Sequence, residues 1–141
     1  MKQIVLFSII IFAGFFMCSC KKDSISHTTG LILGKWNIIN DSNFVNVGVG
    51  NHEVGYAGQS GDYFDFKSDS LLYIKEGPAL DTLKYYLTSY KTVVIYSFGI
   101  TLNGRPETSN ITSLTDHSLM ITTPEIFTPG GTFGRKVNLY R

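Results

Sequence analysis

The sequence predicts an all-β domain, an antiparallel barrel or sandwich, and three observations lead there. Short runs of β-branched and aromatic residues are separated by Gly, Asn, Asp and Pro. Several of those runs alternate apolar and polar residues with period two, which places one set of side chains on a common face. After residue 30, no stretch carries the 3.6-residue apolar period of a long amphipathic helix.

Thr28–Leu33 reads as one helical turn, too short to be stable by itself. The strands then follow as Lys35–Asn40, Tyr63–Lys67, Leu71–Glu76, Thr82–Ser89, Thr92–Phe98, Thr108–Leu114, Ser118–Thr122 and Lys136–Arg141. Between them lie turn signals at Ser68-Asp69, Gly77-Pro78, Asn103-Gly104 and Thr115-Asp116-His117. Strands this short, joined by tight turns, suit a barrel or sandwich and not a βαβ sheet. Leu83, Tyr85 and Leu87 share a face, with Lys84 and Thr88 opposite. Val93 pairs with Ile95 in the same way, Leu119 with Ile121, and Val137 with Leu139. Closing the sheet would remove exposed strand edges.

The stretch Ser42–Gly61 interrupts the pattern. It holds Gly48, Gly50, Gly55, Gly58 and Gly61, yet also Phe44, Val45, Val47, Val49 and Tyr56. Loops longer than about 12–15 residues are usually functional or disordered. Two readings stand: an irregular hairpin extension, or a lid over an open end of the sheet.

Composition limits the function. Aromatic residues make up 13% of the chain and charged residues 16%, below the usual share of about 25% charged, which argues for a compact body. The chain has 12 basic and 11 acidic residues, and removing Lys2 with an export segment leaves the two balanced. A neutral domain has no electrostatic means of gathering nucleic acid, which is excluded as a partner.

The N-terminus carries its own signal. Lys2 precedes the apolar stretch Ile4–Met17, which as a helix would rise about 21 Å against a hydrocarbon core of about 30 Å. That length suits the apolar region of a signal peptide. Cys18 and Cys20 follow, and the chain has no other cysteine. The arrangement resembles the lipobox of bacterial lipoproteins, in which a small residue precedes the cysteine that becomes the acylated first residue. Ser19 before Cys20 fits this, whereas Met17 before Cys18 does not, and Met17 and Cys18 depart from the commoner pattern. The resemblance implies lipidation at Cys20 and a membrane partner reached through acyl chains, in the outer membrane of the cell envelope, with the domain facing either the periplasm or the cell surface. Two or more chains anchor a protein stably, where one does not. The expected organisation is a signal peptide over 1–19, a lipidated leader over 20–30 and a barrel domain over 31–141.

Gly34-Lys35-Trp36 opens the first strand just after the helical turn. This resembles the lipocalin superfamily, whose first strand begins with Gly-x-Trp. From Leu33 onward the chain is similar to the lipocalin-like domains of small Bacteroidetes lipoproteins. The similarity rests on Leu33-Gly34-Lys35-Trp36, the Phe64–Phe66 strand, Tyr86-x-Leu before Val93-Val94-Ile95, Ile111–Thr115 with Leu119 and Ile121, and Asn138-Leu139-Tyr140-Arg141. It implies an eight-stranded antiparallel up-and-down barrel, with Gly34 and Trp36 at its closed end. A basic residue lies across the Trp in that family, and Arg141 is the first candidate, with Arg135 the alternative. The chain is shorter than larger lipocalins and lacks their disulfide.

Catalytic motifs are absent. Gly58-Gln59-Ser60-Gly61-Asp62 has Asp62 where a nucleophile elbow needs glycine. His52-Glu53-Val54-Gly55-Tyr56 lacks the second histidine of a zinc-protease helix. His27, His52 and His117 have no metal-ligand spacing, and no cofactor motif is complete. Asp62, Asp65 and Asp69 read as solvated. The expectation is a non-enzymatic barrel holding a small apolar or amphipathic ligand among Phe64, Phe66, Leu83, Tyr85, Val93, Ile95, Leu119 and Ile121. The other reading is a structural or interaction module with a filled barrel, whose partner is an envelope protein.

Overall fold

The computed structural model describes residues 24–46, 51–99, 101–102, 104–129 and 131–141. The export segment, Cys18, Cys20, the leader to Asp23, residues 47–50 and Asn103 lie outside them. The described chain is a short helix α1 (Ile25–Ile32) followed by β1 (Gly34–Asn46), β2 (Asn51–Ala57), β3 (Tyr63–Phe66), β4 (Leu71–Glu76), β5 (Ala79–Ser89) and β6 (Thr92–Ile95). After these come β7 (Thr101–Leu102), β8 (Arg105–Pro106), β9 (Thr108–Leu114), β10 (Ser118–Thr122), β11 (Ile126–Thr128) and β12 (Gly131–Tyr140).

Eight strands close into a barrel in the order β1-β3-β4-β5-β6-β9-β10-β12, every pair antiparallel and β12 returning to β1. Period-two patterning explains the closure, because the register joins inward residues at successive seams. Trp36 lies opposite Phe64, Phe64 opposite Ile74, and Leu72 opposite Leu83. Tyr85 meets Ile95, Ile111 meets Ile121, Ile121 meets Val137, and Leu139 meets Ile38. A slip of one residue at any seam would turn that strand's apolar set outward.

The helix and the β1 start close one end. Ser24 caps α1 by accepting from His27 N at 3.3 Å, so the helix begins at Ile25 and not at Thr28 as the sequence suggests. Its second turn is held by burial of Thr28 and Ile32 and by Thr28 Oγ1 donating to Tyr90 O at 3.1 Å. Trp36 is fully buried beneath, and its indole N–H donates to Ile32 O at 2.8 Å. The Arg141 guanidinium stands 4.1 Å from the Trp36 ring centroid. Arg141 also donates to Leu31 O and Leu33 O, each at 2.9 Å, which satisfies carbonyls that the helix end leaves open, and to Asp116 O in the β9–β10 turn at 2.8 Å. Gly34 has φ of +103°, a conformation that keeps this corner to glycine, and Arg141 Nη1 would lie 3.6 Å from a Cβ there.

The strand limits differ from the sequence reading at β1, β5, β6 and β12, and β5 starts at Ala79, three residues before Thr82. β1 runs on to Asn46 and pairs with β2, so the described part of Ser42–Gly61 is a hairpin extension. β2 and β3 lie end to end along β1, separated by a bulge at 58–62. Gly58 approaches so closely that a Cβ would sit 2.0 Å from Ile38 O. β12 starts at Gly131, well before Lys136, because β11 supplies a partner for its first residues. β6 ends at Ile95 and not at Phe98, because Ser97 adopts φ of +60° and turns the chain.

Asp62 is not solvated, as its sequence neighbourhood suggests, but 1% exposed. It accepts from Tyr56 Oη, from Gln59 N at 2.8 Å and from Gly77 N at 3.0 Å, and Lys75 Nζ lies at 3.5 Å. The Tyr56 hydroxyl first, then the Gln59 amide, hold its pKa down at about 2, and Tyr56 is pushed up to about 12. This carboxylate pins the bulge to the β4–β5 turn.

Candidate binding site at the barrel mouth

The residues expected to line a ligand cavity are mostly the packed core. Phe64, Phe66, Tyr85, Val93, Ile95, Leu119 and Ile121 are all buried in one cluster, and Leu83 packs against it half-buried. Phe64 and Phe66 have ring centroids 6.5 Å apart, Phe64 meets Phe98 edge-on at 6.1 Å, and Phe66 meets Tyr85 edge-on at 5.1 Å. The Tyr85 hydroxyl is taken up within the fold, donating to Lys67 O at 2.8 Å. These side chains fill the barrel with one another.

A cleft of about 290 Å³ opens at the other end, away from α1, and of the eight expected residues only Ile95 borders it. Its apolar wall comes from Ile95, Phe98, Pro106, Pro124, Ile126 and Phe133. Asn43, Ser97, Glu107, Ser109, Thr123 and Arg135 supply the polar groups.

Local chemistry makes this concavity. Between β10 and β11, Thr123 replaces a regular ladder partner: its N donates to Arg135 O at 2.8 Å, and its Oγ1 accepts from Arg135 N at 2.7 Å. Pro124 has no N–H to continue the ladder, so the chain leaves the barrel wall there. The bend after β6 brings Gly99 against Thr123, whose Cγ2 would be 3.1 Å from a Cβ at that position. A side chain on Gly99 would push the two cleft edges apart.

Beneath the cleft lies a buried ionic group. Arg135 Nε donates to both oxygens of Asp41 at 3.0 Å, and Nη2 reaches Asp41 and, at 3.3 Å, Glu76. Nη1 donates to Phe98 O at 3.0 Å, and the guanidinium carbon stands 4.3 Å from the Phe98 ring centroid. Asp41 is 2% exposed. Burial, and then the neighbouring Asp41 carboxylate, push Glu76 up to about 7, against the pull of Arg135. Asp41 and Glu76 thus share one guanidinium, and Glu76 carries a proton at mildly acidic pH.

Arg135, the alternative residue for the closed end, therefore sits over Phe98, and it is Arg141 that lies on Trp36. Sequence reasoning missed Asp41, Glu76, Phe98 and Glu107 as site residues. A lone Asp within the β1 run was the one available signal, and its partner lies 94 residues away. No protein-family model, curated protein or solved structure matches this chain.

Proposed function

We propose that this chain is a lipid-anchored envelope lipoprotein whose lipocalin-like barrel binds a small apolar or amphipathic molecule at its mouth. The anchor reading is supported by the Ile4–Met17 apolar stretch followed by Ser19-Cys20. Acyl chains on Cys20 would tether the domain to the outer membrane, through a leader long enough to hold it clear of headgroups. The lipocalin-like reading is supported by the eight-stranded closure, the Gly34-Lys35-Trp36 opening and Arg141 over Trp36.

The observation that carries ligand binding is the cleft, an apolar concavity with a few convergent polar groups. At about 290 Å³ it stands at the lower end of small-molecule sites. The packed interior favours a second reading, an interaction module with a filled barrel. Tyr73, Tyr86 and Tyr96, exposed on the outer wall, would then be contact residues.

Native mass spectrometry of protein purified from its own host separates the two. Gly134 lines the cleft, and a Cβ there meets its neighbours at ordinary contact distances of 3.6–3.9 Å, so Gly134→Val adds bulk to the cleft wall from a Cβ that itself does not clash. A small non-covalent mass on the wild type, lost in Gly134→Val, supports the ligand reading. A co-purifying protein retained by both supports the module.

A further inference from the structure

The cleft holds two cues to the charge of what enters it, and both point away from an acid. A site for a carboxylate or phosphate head needs a cation with spare N–H donors directed at the ligand. Among the described residues, Arg135 is the one cationic side chain lining the cleft. Four of its five N–H donors are committed, Nε and Nη2 to Asp41 and Glu76 and one of Nη1 to the Phe98 carbonyl, which leaves a single N–H and no fork for a bidentate acid. Asp41 alone cancels its charge.

The unpartnered polar groups are of a different kind. Glu107 lines the cleft half-buried and, among the described residues, makes no hydrogen bond or ion pair. Ser109 lines it too, 1% exposed, and no described residue bonds its hydroxyl. Buried polar groups are almost always paired, so a hydroxyl left open at the edge of a cavity marks a place where a ligand atom or water completes the bond. A half-buried carboxylate without a partner is stabilised by a positive or hydrogen-donating group beside it. The Phe98 and Phe133 rings of the same wall suit an alkyl chain and also attract a cation through their faces.

Taking the cleft as the binding site proposed above, we infer that its ligand is an amphiphile with an uncharged or cationic hydrogen-donating head, an amine or alcohol and not an acid. The head sits between Glu107 and Ser109, and the apolar body lies on Phe98, Ile126 and Phe133.

Calorimetric titration of the full chain with hexylamine, hexanol and hexanoate tests this with one tail and three heads. Hexylamine should bind at least tenfold more tightly than hexanoate, with hexanol between them. Glu107→Gln should bring hexylamine down to the affinity of hexanol while leaving hexanol unchanged, and Ser109→Ala should weaken both. Unchanged melting temperatures would show that neither variant acts by unfolding the barrel. Hexanoate binding as tightly as hexylamine would overturn the inference and leave the cleft as a ligand site. Binding of none of the three, in wild type and with Gly134→Val identical, would remove the cleft as a ligand site and the inference with it.

Discussion

Arg135 of β12 grips Asp41 of β1 from inside the barrel, its Nε 3.0 Å from each carboxylate oxygen. The pair crosses the seam where the last strand meets the first, and its Nη1 bond to Phe98 O extends the tie to the bend after β6. One buried ion pair therefore links the closure of the barrel to an edge of the cleft. Removing one member of such a pair costs more than the pair itself contributes, because the other charge is left without compensation. Asp41→Asn is expected to destabilise the protein by about 3 kcal/mol in urea unfolding. A loss below about 1 kcal/mol would mean that Glu76 alone can satisfy Arg135.

Glu76 gives the fold a pH dependence of unusual sign for a carboxylate. Its folded pKa is raised from 4.5 to about 7, so between those values the native state binds more protons than the unfolded one. Stability is then highest below about pH 4.5 and falls as pH rises toward 7. Glu76→Gln should remove this fall, gaining on the order of 2 kcal/mol over wild type at pH 8 relative to pH 4.5. Parallel wild-type and variant stability curves from pH 4.5 to 8 would contradict it. In Asp41→Asn the upward push from Asp41 is gone, and Glu76 should titrate lower.

Gly58 tests the bulge between β2 and β3. A methyl group would strike Ile38 O, which is backbone and cannot rotate away, so Gly58→Ala should cost about 2 kcal/mol. Gly30 is the matched control: it lies in α1 with nothing within 4 Å of a Cβ. Gly30→Ala should stabilise by about 0.5–1 kcal/mol. Chemical denaturation of both variants reads the contrast.

The closed end depends on Trp36 and Arg141. Trp36→Ala should cost about 3–5 kcal/mol by emptying a fully enclosed site. Arg141→Lys keeps the charge but loses the fork that reaches Leu31, Leu33 and Asp116 carbonyls together. It should cost about 1 kcal/mol and loosen α1, seen as faster amide exchange over residues 28–33. Unchanged exchange there would detach Arg141 from the helix.

Anchoring is tested in the cell. Cys20→Ala should move the protein from membrane to soluble fractions and leave its precursor unprocessed. Equal membrane retention of the variant would remove Cys20 as the anchor.

By itself the sequence determined the all-β class, because alternating runs such as Leu83-Lys84-Tyr85-Tyr86-Leu87 state which side chains share a face. It placed β9 and β10 to the residue, since a polar turn at Thr115-Asp116-His117 separates two clean alternations. It could not yield β2 or β11, whose residues form strands only because β1 and β12 offer them hydrogen-bonding edges. Nor could it say whether Phe64, Phe66 and Tyr85 surround a cavity or fill one, because period two gives direction but not the space left over. The tertiary structure decided that, through ring contacts across strands. It also moved the candidate site from the interior to the mouth, where Asp41, Glu76, Phe98 and Arg135 converge from distant parts of the chain. Local pattern sets which face a residue takes, whereas a site at the end of a barrel depends on which strands closure brings side by side.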